Sequence, residues 1–190
     1  MVTKRDASRA DILDATERML RSGGMEAVTT SEVAKAAGCA KGLIHYHFST
    51  KSGLLAEVAR NIGASRAEAW QAAFATDDPQ KAIDQTWELL RSEAKLGVLR
   101  AWLSLGTSGD RDIGRAVSRE SMEFRDRIVE WTKAMLSNAG LTPTIGDNQL
   151  GRLVMVLLQG TAMELATGGR PSELEEAYAA GWLGVLGLAS

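Results

Sequence analysis

The chain has 190 residues, of which 45% are hydrophobic and 24% charged, a balance that allows a buried core and excludes an intrinsically disordered chain. A lone cysteine cannot form an internal disulfide, and the longest apolar stretch, LVMVLL, is too short to span a bilayer. The net charge of −2 conceals an asymmetry, because residues 1–60 carry +2 and the remainder −4. No signal peptide is expected, since the charged MVTKRDASRADIL has no following apolar run. We therefore expect a soluble, cytoplasmic protein with no membrane partner, whose N-terminal part favours an anionic partner.

Three short helices are predicted within the first fifty residues. In SRADILDATERMLRSGG the apolar residues recur on one helical face, and the glycine pair ends the helix. Thr29 and Glu32 have the spacing of a capping box at the start of a second helix, and Gly38 can supply the left-handed residue that ends it. A third helix is predicted at about 41–48. Helices this short are unstable alone, and two of them joined by a turn containing glycine indicate a helix-turn-helix.

Longer helices are predicted for the rest of the chain. The first runs from about Thr50 to Ala75, and Asp78-Pro79 begins the next. The later helices are predicted near residues 80–95, 97–105, 112–138, 147–167 and 172–188, with breaks at GTSGD, AGLTPTIG and GGRP. No strand pattern of useful length is present. The sequence therefore predicts an all-α fold with an N-terminal three-helix domain at 1–50 and a larger helical domain at 51–190.

The stretch AGCAKGLIHYHFSTKSGLL contains both histidines of the chain and its only cysteine. In a helix-turn-helix the second helix enters the major groove of DNA while the first braces it across the backbone. Ile44 and Phe48 are spaced to face inward, and Lys41, His45 and Tyr46 then project away from them. This arrangement predicts a helix that is buried on one side and carries hydrogen-bond donors on the other.

The residues around this helix offer groups suited to phosphate. The start of the preceding helix has free N–H groups together with the hydroxyls of Thr29, Thr30 and Ser31. Lys51, at the start of the next helix, can reach another phosphate. The combination indicates a surface that binds the DNA backbone.

The segment TTSEVAKAAGCAKGLIHYHFSTKSGLL resembles the DNA-binding domain of the TetR family of bacterial transcriptional regulators, over residues of about 9–57. The run LRAWLSLGTSGD, with RIVEW later in the chain, is faintly similar to the regulatory domains of the BetI-like subgroup. The positions that agree in register are Thr30, Val33, Ala34, Ala37, Gly38, Gly42, Ile44, His47, Phe48, Lys51, Leu54 and Leu55. Two positions depart from the family pattern, which commonly has Tyr in place of His45 and Ser in place of Ala40.

This resemblance implies roles for individual residues of the N-terminal domain. Lys41 is the candidate for guanine O6 and N7, and Leu43 for a thymine methyl group. The alternative role for His47 is to cap or brace the helix end, and Cys39 is expected to be a small buried residue rather than a redox sensor. The implied phosphate contacts are Thr30, Tyr46, His47 and Lys51, and the implied base contacts are Ser31, Lys41, Gly42, Leu43 and His45.

A homodimer is expected because one reading helix buries too little DNA for useful specificity. Small residues recur at three- and four-residue steps in AYAAGWLGVLG, and QLGRLVMVLLQGTAMEL is apolar on more than one face. These patterns predict a four-helix interface, although a frayed C-terminus would also explain the glycines. The predicted interface residues are Val154, Leu158, Ala177, Gly181, Gly184 and Gly187.

A small-molecule effector is the second partner expected for the larger domain. An apolar pocket with a few polar anchors would suit it, and Gln159 is the favoured anchor. Aromatic residues at helical spacing more often belong to a core than to a pocket. The predicted pocket residues are Trp70, Trp87, Trp102, Ser121, Phe124, Trp131, Gln159 and Met163.

Catalysis is not expected, because residues beyond 50 contain neither His nor Cys and cannot form a Cys-His or Ser-His-Asp arrangement or a His-rich metal site. The glycines of GTSGDRDIG do not have the spacing of a phosphate loop. No cofactor and no metal are therefore expected. The resemblance implies a TetR-type repressor that an effector releases from a palindromic operator. A helical scaffold protein with a helix-turn-helix-like N-terminus, or a small helical enzyme, remains an alternative.

Overall fold

The predicted all-α fold is confirmed by a computed structural model, which describes the backbone of residues 4–190 and the side chains from residue 9 onward. Over this range the β pairing is limited to an isolated bridge between Pro143 and Ala189. The helices are α1 Lys4–Gly23, α2 Thr30–Ala36, α3 Lys41–Phe48, α4 Lys51–Phe74, α5 Pro79–Lys95, α6 Val98–Gly106, α7 Arg111–Asn138, α8 Asp147–Ala166 and α9 Pro171–Leu186, with a short 3₁₀ helix at Gly24–Ala27. None of the helices in the described range is long and apolar enough to cross a membrane.

Local capping residues set several of these boundaries. The Thr29 hydroxyl oxygen accepts a hydrogen bond from the Glu32 N–H at 3.1 Å and begins α2. Gly38 lies just beyond α2 with a φ of +65°, which glycine adopts without strain. The Asp78 carboxylate accepts from the Gln80 N–H at 2.9 Å and begins α5. The 3₁₀ helix at Gly24–Ala27 was not predicted, because the glycine pair marks a helix end without specifying the conformation of the next residues.

The contacts divide the chain into two units, and each unit contains two separate stretches of sequence. The first unit ends at Ala64 and resumes over Gly97–Glu120, and the second comprises Ser65–Leu96 and Ser121–Ser190. The predicted boundary between residues 50 and 51 does not separate these units, because the N-terminal part of α4 belongs to the first. Helices α4 and α7 each continue from one unit into the other.

In the first unit, the start of α6 packs against the end of α1. Arg100 Nη1 donates a hydrogen bond to the Ser22 carbonyl oxygen at 2.7 Å. Gly97, with a φ of +74°, lies so close to α1 that an added Cβ would be 2.3 Å from the Arg21 carbonyl oxygen. Both the backbone conformation and the contact therefore require glycine at this position.

The first unit also holds the start of α4 against the start of α7. The Ser52 hydroxyl donates to Asp110 Oδ2 at 2.6 Å. The other oxygen of Asp110 accepts from the N–H groups of Asp112 at 2.9 Å and Ile113 at 3.1 Å, which caps α7. The hydrogen bond from Ser52, together with those from the backbone, holds the pKa of Asp110 below its usual value.

The second unit has an aromatic core that contains one buried ion pair. Glu93 is 5% exposed, and its carboxylate receives Arg66 Nε at 2.9 Å and Arg66 Nη2 at 3.0 Å. The Trp70 indole N–H donates to the same carboxylate at 3.1 Å. Because the charge of Glu93 is paired and hydrogen-bonded, its burial is tolerated. The aromatic residues fully buried in this core are Trp70, Tyr178 and Trp182.

Replacing Gly97 with alanine should destabilise the first unit strongly. The new Cβ meets a backbone oxygen that cannot rotate away, so we expect Gly97→Ala to lower the free energy of unfolding by about 3 kcal/mol or more. Gly109→Ala is the matched control, because Gly109 has a similar φ of +72° but no heavy atom within 4 Å of its added Cβ. The control should lose only about 1–2 kcal/mol. Equal losses for both variants in urea denaturation would contradict the close contact between α1 and α6.

The Ser52→Ala substitution should raise the pKa of Asp110 toward its ordinary value, because the largest stabilisation of the ionised carboxylate is removed. A carboxyl pKa lowered by folding stabilises the protein above the unfolded pKa, and this stabilisation disappears as the pH falls through the folded pKa. The stability difference between Ser52→Ala and the unmodified protein should therefore be larger at neutral pH than at about pH 3.

NMR titration of Asp110 and urea denaturation at the two pH values measure both effects. Thr107→Ala is the control, since the Thr107 hydroxyl bonds to the carbonyl oxygen of Leu103 in the preceding helix. A Ser52→Ala protein with an unchanged Asp110 titration would show that the two side chains do not interact in solution.

Candidate nucleic-acid interface

One side of α3 holds the helix in the core of the first unit. Ile44 is 1% exposed and Phe48 is 8% exposed, as their spacing predicted. The Arg9 guanidinium lies over the Phe48 ring at 5.2 Å and pairs with Glu57 on α4 at 2.7 Å. The α3 helix is therefore fixed between α1 and α4, although it is only two turns long.

The opposite side of α3 is exposed and carries most of the predicted base contacts. Lys41, Gly42, His45 and Tyr46 are all exposed, and we call these four residues the reading face. The Tyr46 side chain is 56% exposed, which is unusual for a large aromatic residue. The structure thus presents one cationic, one imidazole and one phenol group on a single short helix.

Leu43 is less exposed than the reading face, and the start of α3 lacks a side-chain cap. Leu43 is half-buried and packs against the core of the first unit, so only part of its side chain is available to a thymine methyl group. Ala40 begins α3 without a side-chain hydrogen bond, as its methyl group dictates. The first N–H groups of α3 consequently have no side-chain cap.

Two predicted phosphate contacts, Thr30 and Lys51, flank the reading face along the chain, and the predicted base contact Ser31 lies next to Thr30. Ser31 is exposed in the first turn of α2, and Thr30 is half-buried beside it. Lys51 is the exposed first residue of α4. This helix begins at the Thr50 hydroxyl oxygen, which accepts from the Gly53 N–H at 2.9 Å. Two helix starts therefore present polar side chains on either side of α3 in sequence.

His47 is placed differently from the other predicted contacts. Its Nε2 atom is buried and has no hydrogen-bond partner, and its ring lies between Tyr46 at 5.2 Å and Phe48 at 6.0 Å, measured between ring centroids. The ring therefore packs against its neighbours at the end of α3, and its buried Nε2 atom does not face solvent. This geometry favours the bracing role that the sequence left open.

Cys39 lies in the turn between α2 and α3 and is half-buried rather than fully buried as expected. Desolvation, with a contribution from the charge of Asp11, raises the pKa of its thiol. A raised pKa leaves less thiolate and makes the sulfur less reactive. The environment supports a packing role over a redox role for Cys39.

Three of the six predicted dimer-interface residues face the interior of their own chain rather than solvent. Val154 and Leu158 are 0% and 4% exposed in the core of their own second unit, so neither can contact a partner. Gly181 faces α8 of the same chain, where an added Cβ would lie 2.5 Å from Leu157 Cδ1. Ala177, Gly184 and Gly187, by contrast, are exposed on the C-terminal helix or directly after it.

Sequence reasoning missed a set of exposed apolar residues on α8 and α9. Leu153, Val156 and Met163 on α8 are 38%, 69% and 46% exposed, and Leu183 on α9 is 67% exposed. We call these four residues the apolar strip. The three on α8 are spaced along one helical face. The sequence signal was an α8 that is apolar on more than one face, a pattern that does not tell which residues face the chain's own core.

The predicted ligand-pocket residues do not form one group. Trp70 and Trp87 are buried in the core of the second unit, and Phe124 and Trp131 pack against that core. Trp102 packs instead against the core of the first unit. None of the three remaining residues is buried: Gln159 and Met163 are exposed, and Ser121 is half-buried. Gln159 is thus not a buried anchor, because it lies on the outer side of α8.

The helix-turn-helix matches a known family model, "Bacterial regulatory proteins, tetR family", over residues 12–58. The chain is 38% identical over 81 residues to the HTH-type transcriptional regulator AcrR of Shigella flexneri, an alignment that covers 40% of this chain but only 37% of AcrR. It is 24% identical over 182 residues to the HTH-type transcriptional regulator BetI of Rhizobium meliloti (strain 1021), covering 90% of this chain and 84% of BetI.

Solved structures share the fold over nearly the whole chain. A structure described as a TetR-family transcriptional regulator from Mesorhizobium loti MAFF303099 has a TM-score of 0.80 at 20% identity and covers 99% of both chains. A transcriptional regulator from Saccharomonospora viridis, crystallised in complex with choline, has a TM-score of 0.69 at 18% identity and covers 91% of this chain and 94% of that one. Residues 12–58 therefore match the DNA-binding domain of the TetR family of bacterial transcriptional regulators, and the chain as a whole shares the all-helical fold of these solved structures.

Proposed function

We propose that the protein is a homodimeric repressor that binds a palindromic operator in the cytoplasm and is released from it by a small molecule. The observation that carries this proposal is the two-sided character of α3. Ile44 and Phe48 are buried on one side, and the reading face is exposed on the other. A helix of this kind can enter a major groove without losing its own packing.

The reading face supplies the chemistry needed to recognise bases. Lys41 is exposed in the first turn of α3, the part of a recognition helix that reaches base edges, and it donates to guanine O6 and N7. His45 donates from its imidazole ring at the next turn. The Nδ1 atom of His45 lies 3.3 Å from the Ser49 carbonyl oxygen. A proton on Nδ1 would bond to that oxygen, and the other ring nitrogen, Nε2, would be directed toward DNA.

The backbone contacts fix the protein on the duplex without reading sequence. Lys51, Tyr46 and the hydroxyls at the start of α2 are the groups we assign to phosphates. The excess positive charge of residues 1–60 adds a sequence-independent attraction that salt weakens. Binding should therefore become weaker as ionic strength rises.

The apolar strip supplies the dimer contact. Leu153, Val156 and Leu183 expose apolar surface on α8 and α9, which pack on each other within one chain. Covering such surface with the same helices of a second subunit removes it from water and produces a symmetric four-helix contact. A dimer places two reading helices on successive major grooves, about 34 Å apart.

Effector control would act through the second unit. The similar regulator from Saccharomonospora viridis was crystallised in complex with choline, which supports a small-molecule site in this fold. Helix α4 begins at Lys51 and continues into the second unit, where Trp70 belongs to the aromatic core. A ligand that binds one position of α4 more tightly than another would change the separation of the reading helices.

Lys41→Ala and Lys51→Ala should have different effects on DNA binding. Loss of a base contact should cost about 1–3 kcal/mol on the operator and little on random DNA, so Lys41→Ala reduces sequence preference. Loss of a phosphate contact weakens binding to all sequences about equally and reduces the salt dependence, as expected for Lys51→Ala. Fluorescence anisotropy with operator and random duplexes at several salt concentrations measures both. Equal losses on the two duplexes for Lys41→Ala would refute its assignment to a base.

Gly184→Arg should prevent dimer formation. Gly184 is exposed on α9, with no heavy atom of its own chain within 4 Å of an added Cβ, so the substitution leaves the fold of the subunit intact. A large charged side chain beside the apolar strip opposes its burial. We expect a monomer in analytical ultracentrifugation that no longer shifts operator DNA.

Gly114→Arg, on α7 in the first unit, is the matched control, since Gly114 also has open space around its added Cβ. This variant should remain dimeric. A dimeric Gly184→Arg protein that still binds the operator would show that the interface lies elsewhere.

A further inference from the structure

Ser49, in the link between α3 and α4, has a strained backbone. Its φ is +60° and its ψ is −50°, and it is the one residue other than glycine with a positive φ in the described part of the chain. The Thr50 N–H donates to the Phe48 carbonyl oxygen at 2.6 Å, so Ser49 is the central residue of a γ-turn of the rare, positive-φ type. A strained residue persists only where its surroundings hold it, and such residues are concentrated at functional sites.

The neighbouring residues hold Ser49 in this conformation from both sides. On the α3 side, the Ser49 N–H donates to the His45 carbonyl oxygen at 2.9 Å. On the α4 side, the Gly53 N–H donates to the Thr50 hydroxyl oxygen at 2.9 Å. Gly53 also lies so close to the end of α3 that an added Cβ would be 2.5 Å from the Phe48 carbonyl oxygen. The link therefore has little conformational freedom.

The turn brings the Ser49 carbonyl oxygen back to the reading face. In a continuing helix this oxygen would point onward along the axis, away from His45. Instead it lies 3.3 Å from Nδ1 of His45. Because a carbonyl oxygen can only accept a hydrogen bond, the contact requires a proton on Nδ1. A hydrogen bond of ordinary net strength favours that tautomer about two- to tenfold.

The neutral and charged forms of His45 offer DNA different chemistry. The charged ring donates from both nitrogens, whereas a neutral ring with its proton on Nδ1 presents Nε2 as an acceptor. In the major groove, an acceptor matches the amino groups of adenine N6 and cytosine N4. Guanine O6 and thymine O4 occupy the equivalent positions, and facing either of them would leave two acceptors without a donor between them.

We propose that His45 selects an amino base, adenine or cytosine, through Nε2 of its neutral ring, and that Ser49 is the positioning residue that fixes this tautomer. This inference rests on the DNA-binding role proposed above. Lys41 and His45 are four residues apart, which is about 6 Å along α3, and neighbouring bases are about 3.4 Å apart. The amino base therefore lies within about two base pairs of the guanine assigned to Lys41.

Nitrogen NMR of the DNA-free protein tests the tautomer directly, because protonated and unprotonated imidazole nitrogens have different chemical shifts. The chain has two histidines, and His45→Phe identifies the signals of His45 by their loss. At about pH 8.5, where imidazole groups are ordinarily neutral, His45 should be protonated mainly on Nδ1. Protonation mainly on Nε2 in the unmodified protein would overturn the inference.

Two substitutions at Ser49 form a matched pair for its positioning role. Ser49→Gly should keep the tautomer, because glycine adopts a positive φ without strain. Ser49→Val should lose it, because a β-branched residue avoids positive φ and the carbonyl oxygen then turns away from His45. Circular dichroism verifies that both variants are folded. Loss of the tautomer in Ser49→Gly as well would contradict the role of the backbone conformation.

Selection from a library of duplexes with randomised palindromic half-sites, at the same pH, tests the base preference. The unmodified protein and Ser49→Gly should favour adenine or cytosine over guanine and thymine about tenfold at one position of each half-site. His45→Phe should remove the preference at that position, and Ser49→Val should reduce it. His45→Lys, which can only donate, should reverse the preference in favour of guanine or thymine.

A modified base separates the hydrogen bond from the shape of the base. Purine in place of adenine, or pyrimidinone in place of cytosine, lacks only the amino group. This change at the selected position should weaken binding of the unmodified protein about tenfold, and that of His45→Phe by less than about twofold. Equal weakening of the two proteins would show that His45 does not accept from the amino group.

The selection also separates this inference from the proposed function. A protein that selects no duplex would refute the proposed function, and the base preference would fall with it. A protein that selects a palindrome in which no position depends on His45, or in which guanine or thymine stands at that position, would refute the inference and leave the proposed function intact.

Discussion

The burial of Ile44 and Phe48 is the packing on which the DNA-binding end of the protein depends. Helix α3 has only eight residues, too few to be stable in water, so its structure exists only while these two side chains remain in the core of the first unit. Their burial also determines which residues the helix presents to solvent. Once one side of so short a helix is fixed, the reading face has a single orientation relative to α1 and α4.

The same unit shows how a small helical domain becomes rigid through a few close contacts. Gly97 allows the start of α6 to lie close to the backbone of α1, and Arg100 stabilises this contact by donating a hydrogen bond to the Ser22 carbonyl oxygen. Asp110 caps α7 and also accepts from Ser52 in the first turn of α4. Ser52, next to Lys51, is therefore hydrogen-bonded to the residue that caps α7, and α7 continues into the second unit.

Much of the fold and part of the site could be predicted from the sequence. Thr29, Gly38 and Asp78 set helix ends through local chemistry, and α3 begins and ends at the predicted residues. The reading face also came from the sequence, because spacing alone assigns Ile44 and Phe48 to the opposite side. In helix α8 the spacing of the apolar residues does not show which of them face the core. It is apolar on more than one face, so Val154 and Leu158 were assigned to the partner when they belong to the chain's own core.

The sequence by itself determined the all-helical fold, most of the helix boundaries and the TetR-like pattern of the helix-turn-helix, since each depends on residues near one another in the chain. Only the tertiary structure decided that Trp102 belongs to a different core from Trp70 and that Gln159 is exposed. It also decided that the buried Trp87 indole N–H lacks an acceptor while that of Trp70 donates to Glu93. These outcomes depend on which atoms meet across helices distant in sequence, and neither hydrophobic periodicity nor spacing contains that information.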